Sequence, residues 1–172
     1  GLDHVLTSWF SFFKKETDFI TTYKGSFQKI IDGIKATVKS GIRVSANTIV
    51  TQHNKNTIYD SGKFLHSLGV SQFFAHRVIP PAYDRSDKNK EHHTTIEESK
   101  FSLDELLRLK EDTGIKVGTL INYPLCMLGD LEKYKDFVGR GCPTQSGHRF
   151  SINSNGQTHG CVMEDKEYGN VY

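Results

Sequence analysis

GSFQKIIDGIKATVKSGIRVSANTIV, residues 25–50, sets two periodicities back to back. In its first part Phe27, Ile30, Ile31, Ile34 and Val38 recur at the spacing of one helix face, which predicts a helix over residues 25–40. Ser26 is in position to cap that helix and Gly41 to stop it. The second part, Ile42 to Val50, is rich in β-branched residues and reads as a strand. A helix thus ends at a glycine, and a strand begins at once.

The same junction recurs on the C-terminal side. Gly69 closes a helix expected after Asn54 as N-cap, with Ile58, Phe64, Leu65 and Leu68 as its apolar set. Gly62 inside it costs about 1 kcal/mol relative to Ala. Val70 to Ile79 then reads as a strand, stopped by Pro80-Pro81. Gly114 closes a third helix, opened by Ser102-Leu103-Asp104-Glu105 read as a capping box, and Ile115 to Leu120 is one more strand. His4 to Trp9 reads as a strand ahead of all three helices. Repeated strand–helix–strand units call for parallel strands, because each helix is a crossover. The expected fold class is therefore α/β: part of a parallel (β/α) barrel, or a small open sheet, over residues 1–121. Functional residues of such sheets gather at the C-terminal strand ends, here Ser8-Trp9, Asn47 to His53 and His76 to Pro81. The polar run from Asp84 to Lys100 reads as a long loop leaving that face.

After Leu120 the pattern changes, and a smaller module is expected over residues 122–172. A helical stretch is expected near residues 129–138. Asn155-Gly156 predicts a hairpin between strands at His148–Asn153 and Gln157–Val162. Cys126, Cys142 and Cys161 all fall in this module. The hairpin carries Cys161 back toward Cys142, and clustered thiolates are soft ligands for iron–sulfur clusters or zinc. Zinc prefers close pairs such as C-x₂-C, which are absent, although His148 or His159 could complete a zinc site. Three unrelated buried cysteines, acting as small apolar residues, is the plain alternative.

Composition sets outer bounds. The 172 residues suit roughly one domain, and 22 Lys+Arg against 20 Asp+Glu give +2, which speaks against a basic nucleic-acid binder. No apolar run approaches the ~18 residues of a membrane-spanning helix, and no signal-peptide pattern opens the chain, so no membrane partner is expected. An odd cysteine count suits a reducing compartment, the cytoplasm. A first residue Gly1, with Met127 and Met163 as the methionines, reads as an internal piece of a longer protein.

Cys142 and Cys161 are joined by C-x₁₃-G-x₄-C with Gly156 as the glycine. Together with Phe150-Ser151-Ile152-Asn153-Ser154-Asn155-Gly156, Gly160-Cys161 and Gly169-Asn170-Val171, this resembles the start of the SPASM/twitch extension of radical S-adenosylmethionine (SAM) enzymes. That extension opens with C-x₉₋₁₅-G-x₄-C and holds auxiliary [4Fe–4S] clusters. Pro124-Leu125-Cys126 resembles a further cysteine seen just upstream in such proteins. Gly1-Leu2-Asp3-His4-Val5 and Gly25-Ser26-Phe27 resemble the fourth strand and following helix of the radical SAM barrel. Gly41-Ile42-Arg43-Val44-Ser45-Ala46-Asn47-Thr48 resembles its fifth strand, and Arg77-Val78-Ile79-Pro80 its sixth. The resemblance covers nearly the whole chain. It departs at one decisive place: the C-x₃-C-x₂-C that holds the radical-generating [4Fe–4S] cluster is absent, as are the first three barrel strands. The upstream half of the barrel, or a second copy, is the implied partner.

The resemblance implies Ser8, Asn47 and Arg77 as SAM-contacting positions and Cys126, Cys142 and Cys161 as ligands of one auxiliary [4Fe–4S] cluster, with a peptide or protein as substrate. An Asn amide donates and accepts at once, and an Arg at a strand end can meet a carboxylate. Ordinary strand-end polarity is the plain reading of all three, as solvation is of His92-His93. Trp9 with Phe10, Phe12 and Phe13 suits either a substrate-facing lip or core packing. Two functions from different classes follow: a radical SAM oxidoreductase, and a non-catalytic zinc- or cluster-stabilised peptide-binding module.

Overall fold

Parallel strands cannot be joined by tight turns, so the helices between them decide how the sheet is built. The computed structural model describes residues 1–79, 92–138, 141–142, 144, 147–161 and 163–172. Strands β1 (His4–Ser8), β2 (Arg43–Val50), β3 (Gln72–Arg77) and β4 (Lys116–Gly118) pair in chain order, all parallel. Between them run α1 (Lys14–Ile20) and α2 (Ser26–Lys39), then α3 (Ile58–Ser67), then α4 (Ile96–Thr113). After the short α5 (Leu125–Leu128) a second sheet forms, antiparallel, from β5 (Ser151–Ile152), β6 (Gln157–His159) and β7 (Glu167–Asn170). The chain is thus a mixed α/β fold with a four-stranded parallel sheet and a small antiparallel one. No helix of the described residues is long and apolar enough to cross a membrane.

Side-chain alternation divides the parallel sheet into two unlike faces. Val44, Ala46, Thr48 and Val50 of β2, with Phe73 and Ala75 of β3, are buried against Ile31, Ile34, Leu65, Leu106 and Leu109 of the helices. Gly62 measures how closely α3 lies: a Cβ there would collide with Leu109 and reach Phe73. Trp9 joins this core, 1% exposed, with its ring 5.6 Å from Phe27 and 5.8 Å from Phe64. Of the two readings of Trp9, core packing is what the fold adopts. On the opposite face Leu6 and Ile49 are each 49% exposed and Ser8 is exposed. Ser45 is buried there between His4 and Gln72, both of which hydrogen-bond its hydroxyl. Parallel sheets are normally covered on both faces; the helices of the described residues lie on one face of this sheet.

Several helix starts differ from the sequence reading. Ser26 is the first residue of α2, and Gly25, at φ 91°, takes the cap position. The capping group is the Asp18 carboxylate of α1, which accepts from the Gly25 N–H (2.8 Å), the Phe27 N–H (3.1 Å) and the Ser26 hydroxyl (3.0 Å). Those backbone donors hold its pKa below the ordinary carboxylate value. The cap comes from a helix the hydropathy pattern does not reveal. At the other end Gly41 ends α2 as expected: at φ 75°, it donates to the Val38 carbonyl, and Ile42 donates to that of Thr37. α4 opens about two turns before Ser102, at Thr95, whose hydroxyl accepts from Glu98 N–H while the Glu98 carboxylate accepts from Thr95 N–H. Ser102 lies inside the helix, buried, and donates to the Glu98 carbonyl. Residues 96–100, read as loop, are therefore helical, because Ser99 and Ser102 form the inward face where an apolar pattern would be sought. The rest of that polar run, up to Glu91, lies outside the described residues. The expected helix over residues 129–138 reduces to turns and a 3-10 turn, Lys135–Phe137.

Asn54 also departs from its expected role. A 3-10 turn, Lys55–Thr57, precedes α3, and Asn54 makes no side-chain cap bond. Its buried amide instead donates to the carbonyls of Phe10 (2.8 Å) and Ile49 (2.9 Å), and its oxygen accepts from the Thr51 N–H (2.8 Å). Asn54→Ala leaves these three backbone groups without their partner, and is expected to destabilise the fold by about 2–3 kcal/mol in urea unfolding; a loss below about 0.5 kcal/mol would contradict this role.

Candidate functional site

The ends of the parallel strands assemble one row of side chains. The register sets Ser8 beside Asn47, Asn47 beside Phe74 and Phe74 beside Gly118. Gly118 has no side chain because the Phe74 ring takes the space: a Cβ there would lie 3.1 Å from it. The strand end is fixed by Trp9 N–H donating to the Asn47 carbonyl at 2.7 Å. The Asn47 side-chain oxygen is itself buried and has no hydrogen-bond partner among the described residues. One step further along the same face is His76, in register with Ile49. It is 6% exposed, and its Nδ1 is likewise without a partner among the described residues. Burial, and then the neighbouring charge of Arg77, push its pKa below the ordinary histidine value, so the ring is neutral. Buried polar atoms left unpaired are uncommon and mark places that a ligand can complete.

Arg77 does not share this face. It is in register with the buried Val50, in phase with the helix-covered side. Its backbone N–H donates to the Tyr123 hydroxyl (3.1 Å), and burial raises the Tyr123 pKa to about 12. Arg77 lines a cavity of about 400 Å³ together with Cys142, Arg149, Phe150 and Cys161. Cys161 Sγ accepts a hydrogen bond from the Met163 N–H at 3.5 Å.

The expected hairpin is what brings Cys161 there. Ser151 pairs with His159 and Ile152 with Thr158, around a turn in which Gly156 N–H donates to the Asn153 carbonyl. Its strands are shorter than predicted, and β7 adds a third that the sequence reading lacks. Cys126 stands elsewhere: it is exposed on α5 and is not among the residues lining the cavity. Among the described residues no group of three or more His, Cys, Asp or Glu side chains is placed to hold a metal ion. Of the two histidines considered for zinc, His159 shares a neighbouring shallow cavity with Cys161, whereas His148 is exposed.

His92 and His93 lie just before α4. The Gln52 amide donates to the His93 carbonyl at 2.9 Å, and the His92 ring lies 5.6 Å from that of His53. Beside them Glu98 accepts from Lys55 and from Gln52, and with the Thr95 N–H these donors hold its pKa at about 2. This polar knot ties the start of α4 to the turn after β2. From sequence His76 falls only within the strand-end span His76 to Pro81, and Arg149 is not singled out. Period-two alternation from Asn47 across the register would have found His76, whereas nothing in the sequence sets Arg149 apart.

No family model matches the chain, and no curated protein matches it.

The folded protein keeps His76 neutral, with a pKa below the 6.5 of the unfolded chain. The unfolded state therefore binds more protons in this window, and stability is lost as the pH falls below 6.5. Urea unfolding at about pH 7.5 and about pH 5 should show a smaller difference in His76→Gln than in the parent; an unchanged difference would contradict the assignment.

Proposed function

We propose that the chain is part of a radical SAM enzyme of the SPASM/twitch type that modifies a peptide or protein in the cytoplasm, with residues 1–121 as one half of its (β/α) barrel and residues 122–172 as the start of its extension. The observation that carries this reading is the pairing of Ser8 with Asn47 at the C-terminal end of adjacent parallel strands, on the face that carries no helix of the described residues, with the Asn47 amide oxygen lacking a donor among those residues. Strand order that follows chain order, with one helical layer, is what a segment of a (β/α) barrel requires. The sequence resemblance supplies the family.

The residues suit SAM as far as they go. A serine hydroxyl and an asparagine amide offer donors and acceptors to a ribose or an amino-acid group, and the exposed Ser8 is reachable. Arg77 lies off that face, so we leave it out of the SAM site. When bound, SAM would supply the chemistry of hydrogen-atom abstraction from the substrate. The chain's own residues hold and orient the cofactor: Ser8 and Asn47 by hydrogen bonds, His76 as a neutral neighbour that adds no charge. The cluster that starts this chemistry needs C-x₃-C-x₂-C from a partner segment, the other half of the barrel. For the auxiliary cluster, Cys142 and Cys161 share one cavity but Cys126 does not, so the three cysteines do not form a single ligand set in the described geometry. No chemical step is derived through that cluster.

In the full-length protein, Ser8→Ala and Asn47→Ala should each weaken SAM binding by about 1 kcal/mol, one neutral hydrogen bond, in calorimetry; unchanged affinity in both would remove the reading. Anaerobic metal analysis separates it from a zinc-stabilised peptide-binding module. With its remaining ligands supplied by the rest of the full-length protein, a cluster on Cys142 and Cys161 should be lost in Cys142→Ala/Cys161→Ala, about four irons per chain, and stoichiometric zinc in the parent would favour the module instead.

A further inference from the structure

The cavity at the end of β3 carries more positive charge than the SAM reading uses. Arg77 and Arg149 both line it, and no Asp or Glu of the described residues does. None of the ion pairs among the described residues involves either arginine. The Arg77 Nε is buried without an acceptor among them. A guanidinium presents a planar fork of donors that matches a carboxylate, and a buried donor left unpaired is costly, so the site is built for an anion. Around the two arginines stand Leu120, Phe150 and Met163, 43%, 67% and 37% exposed. Large apolar side chains grouped at a surface cavity mark a ligand that is itself partly apolar.

We infer that this cavity binds the C-terminal carboxylate of a peptide whose last residue is apolar or aromatic. A C-terminal residue brings its carboxylate and its apolar side chain together, as the two arginines and their apolar rim require. An Asp or Glu side chain brings the carboxylate without the apolar group. A cavity of about 400 Å³ is large enough for one or two such residues. The inference deepens the reading above and rests on it only in taking a peptide as the ligand class; Cys142 and Cys161 line the same cavity, so the carboxylate site is that of the protein without a cluster between them.

Fluorescence anisotropy of the full-length protein tests it without SAM or iron, so it can fail while that reading stands. The probes are a labelled hexapeptide ending in Leu-Phe with a free carboxylate, the same peptide as its C-terminal amide, and an amidated peptide with Glu in place of the terminal Phe. The free acid should bind about tenfold or more tightly than either amide. R77Q and R149Q should each abolish most of that difference. Equal binding of acid and amide, no binding of the acid, Glu-peptide binding as tight as the acid, or full discrimination in both variants would overturn the inference. The acid-against-amide comparison needs no variant, so it decides the matter even where a substitution harms folding.

Discussion

Asn54 holds together the exits of the two strands on which the candidate SAM site stands. Its amide donates to the carbonyl of Phe10, two residues beyond β1, and to that of Ile49 in β2, while its oxygen anchors the turn at Thr51. The Asn54 side chain is buried, where a hydrogen bond is worth more and its loss costs more than at the surface. Ser8 and Asn47 are adjacent because β1 and β2 stay in register to their ends, and Asn54 closes the ladder just past them. Parallel pairing gives no hairpin turn to do this, so a side chain must.

The second constraint is the unequal covering of the sheet. Three long helices cover one face with Leu, Ile and Phe contacts, and the other keeps Leu6, Ile49 and Ser8 open to solvent. Polar groups on that face are either spent locally, as in the His4–Ser45–Gln72 chain, or keep one buried atom without a partner among the described residues, as at Asn47 Oδ1 and His76 Nδ1. The spent groups lie at the N-terminal end of the strands and the unspent ones toward the C-terminal end, where ligands of α/β folds bind. Tyr123 then couples this end to the segment that follows β4, by accepting from the Arg77 N–H, and so sets the arginine beside the cysteine cavity.

The sheet was readable because its signals are local. Gly41, Gly69 and Gly114 each end a helix shortly before a strand begins, and all four strands fall where the pattern placed them, trimmed at their ends. The Asn155-Gly156 turn was readable for the same reason. The failures are non-local. Asp18 caps α2 from eight residues upstream, and Asn54 serves two strand exits in place of a helix start. Thr95 and Ser102 both begin a Ser/Thr-x-x-acid pattern, and only the packing of Ser99 and Ser102 inward decides for Thr95. In the candidate site, strand-end position marked only the spans Ser8-Trp9 and Asn47 to His53, and the family resemblance picked Ser8 and Asn47 out of them. The separation of Cys126 from Cys142 and Cys161 depends on where α5 lies, which no spacing records.

The central claim is that the Ser8–Asn47 row is where SAM is held. The most direct measurement is a titration of the full-length protein, carrying ¹⁵N-labelled asparagine, with SAM, followed through the side-chain amide resonances of Asn47 and Asn54. The account predicts that the Asn47 amide shifts saturably while Asn54, whose amide is committed to the backbone, stays in place. SAM binding that leaves the Asn47 amide unmoved would contradict it.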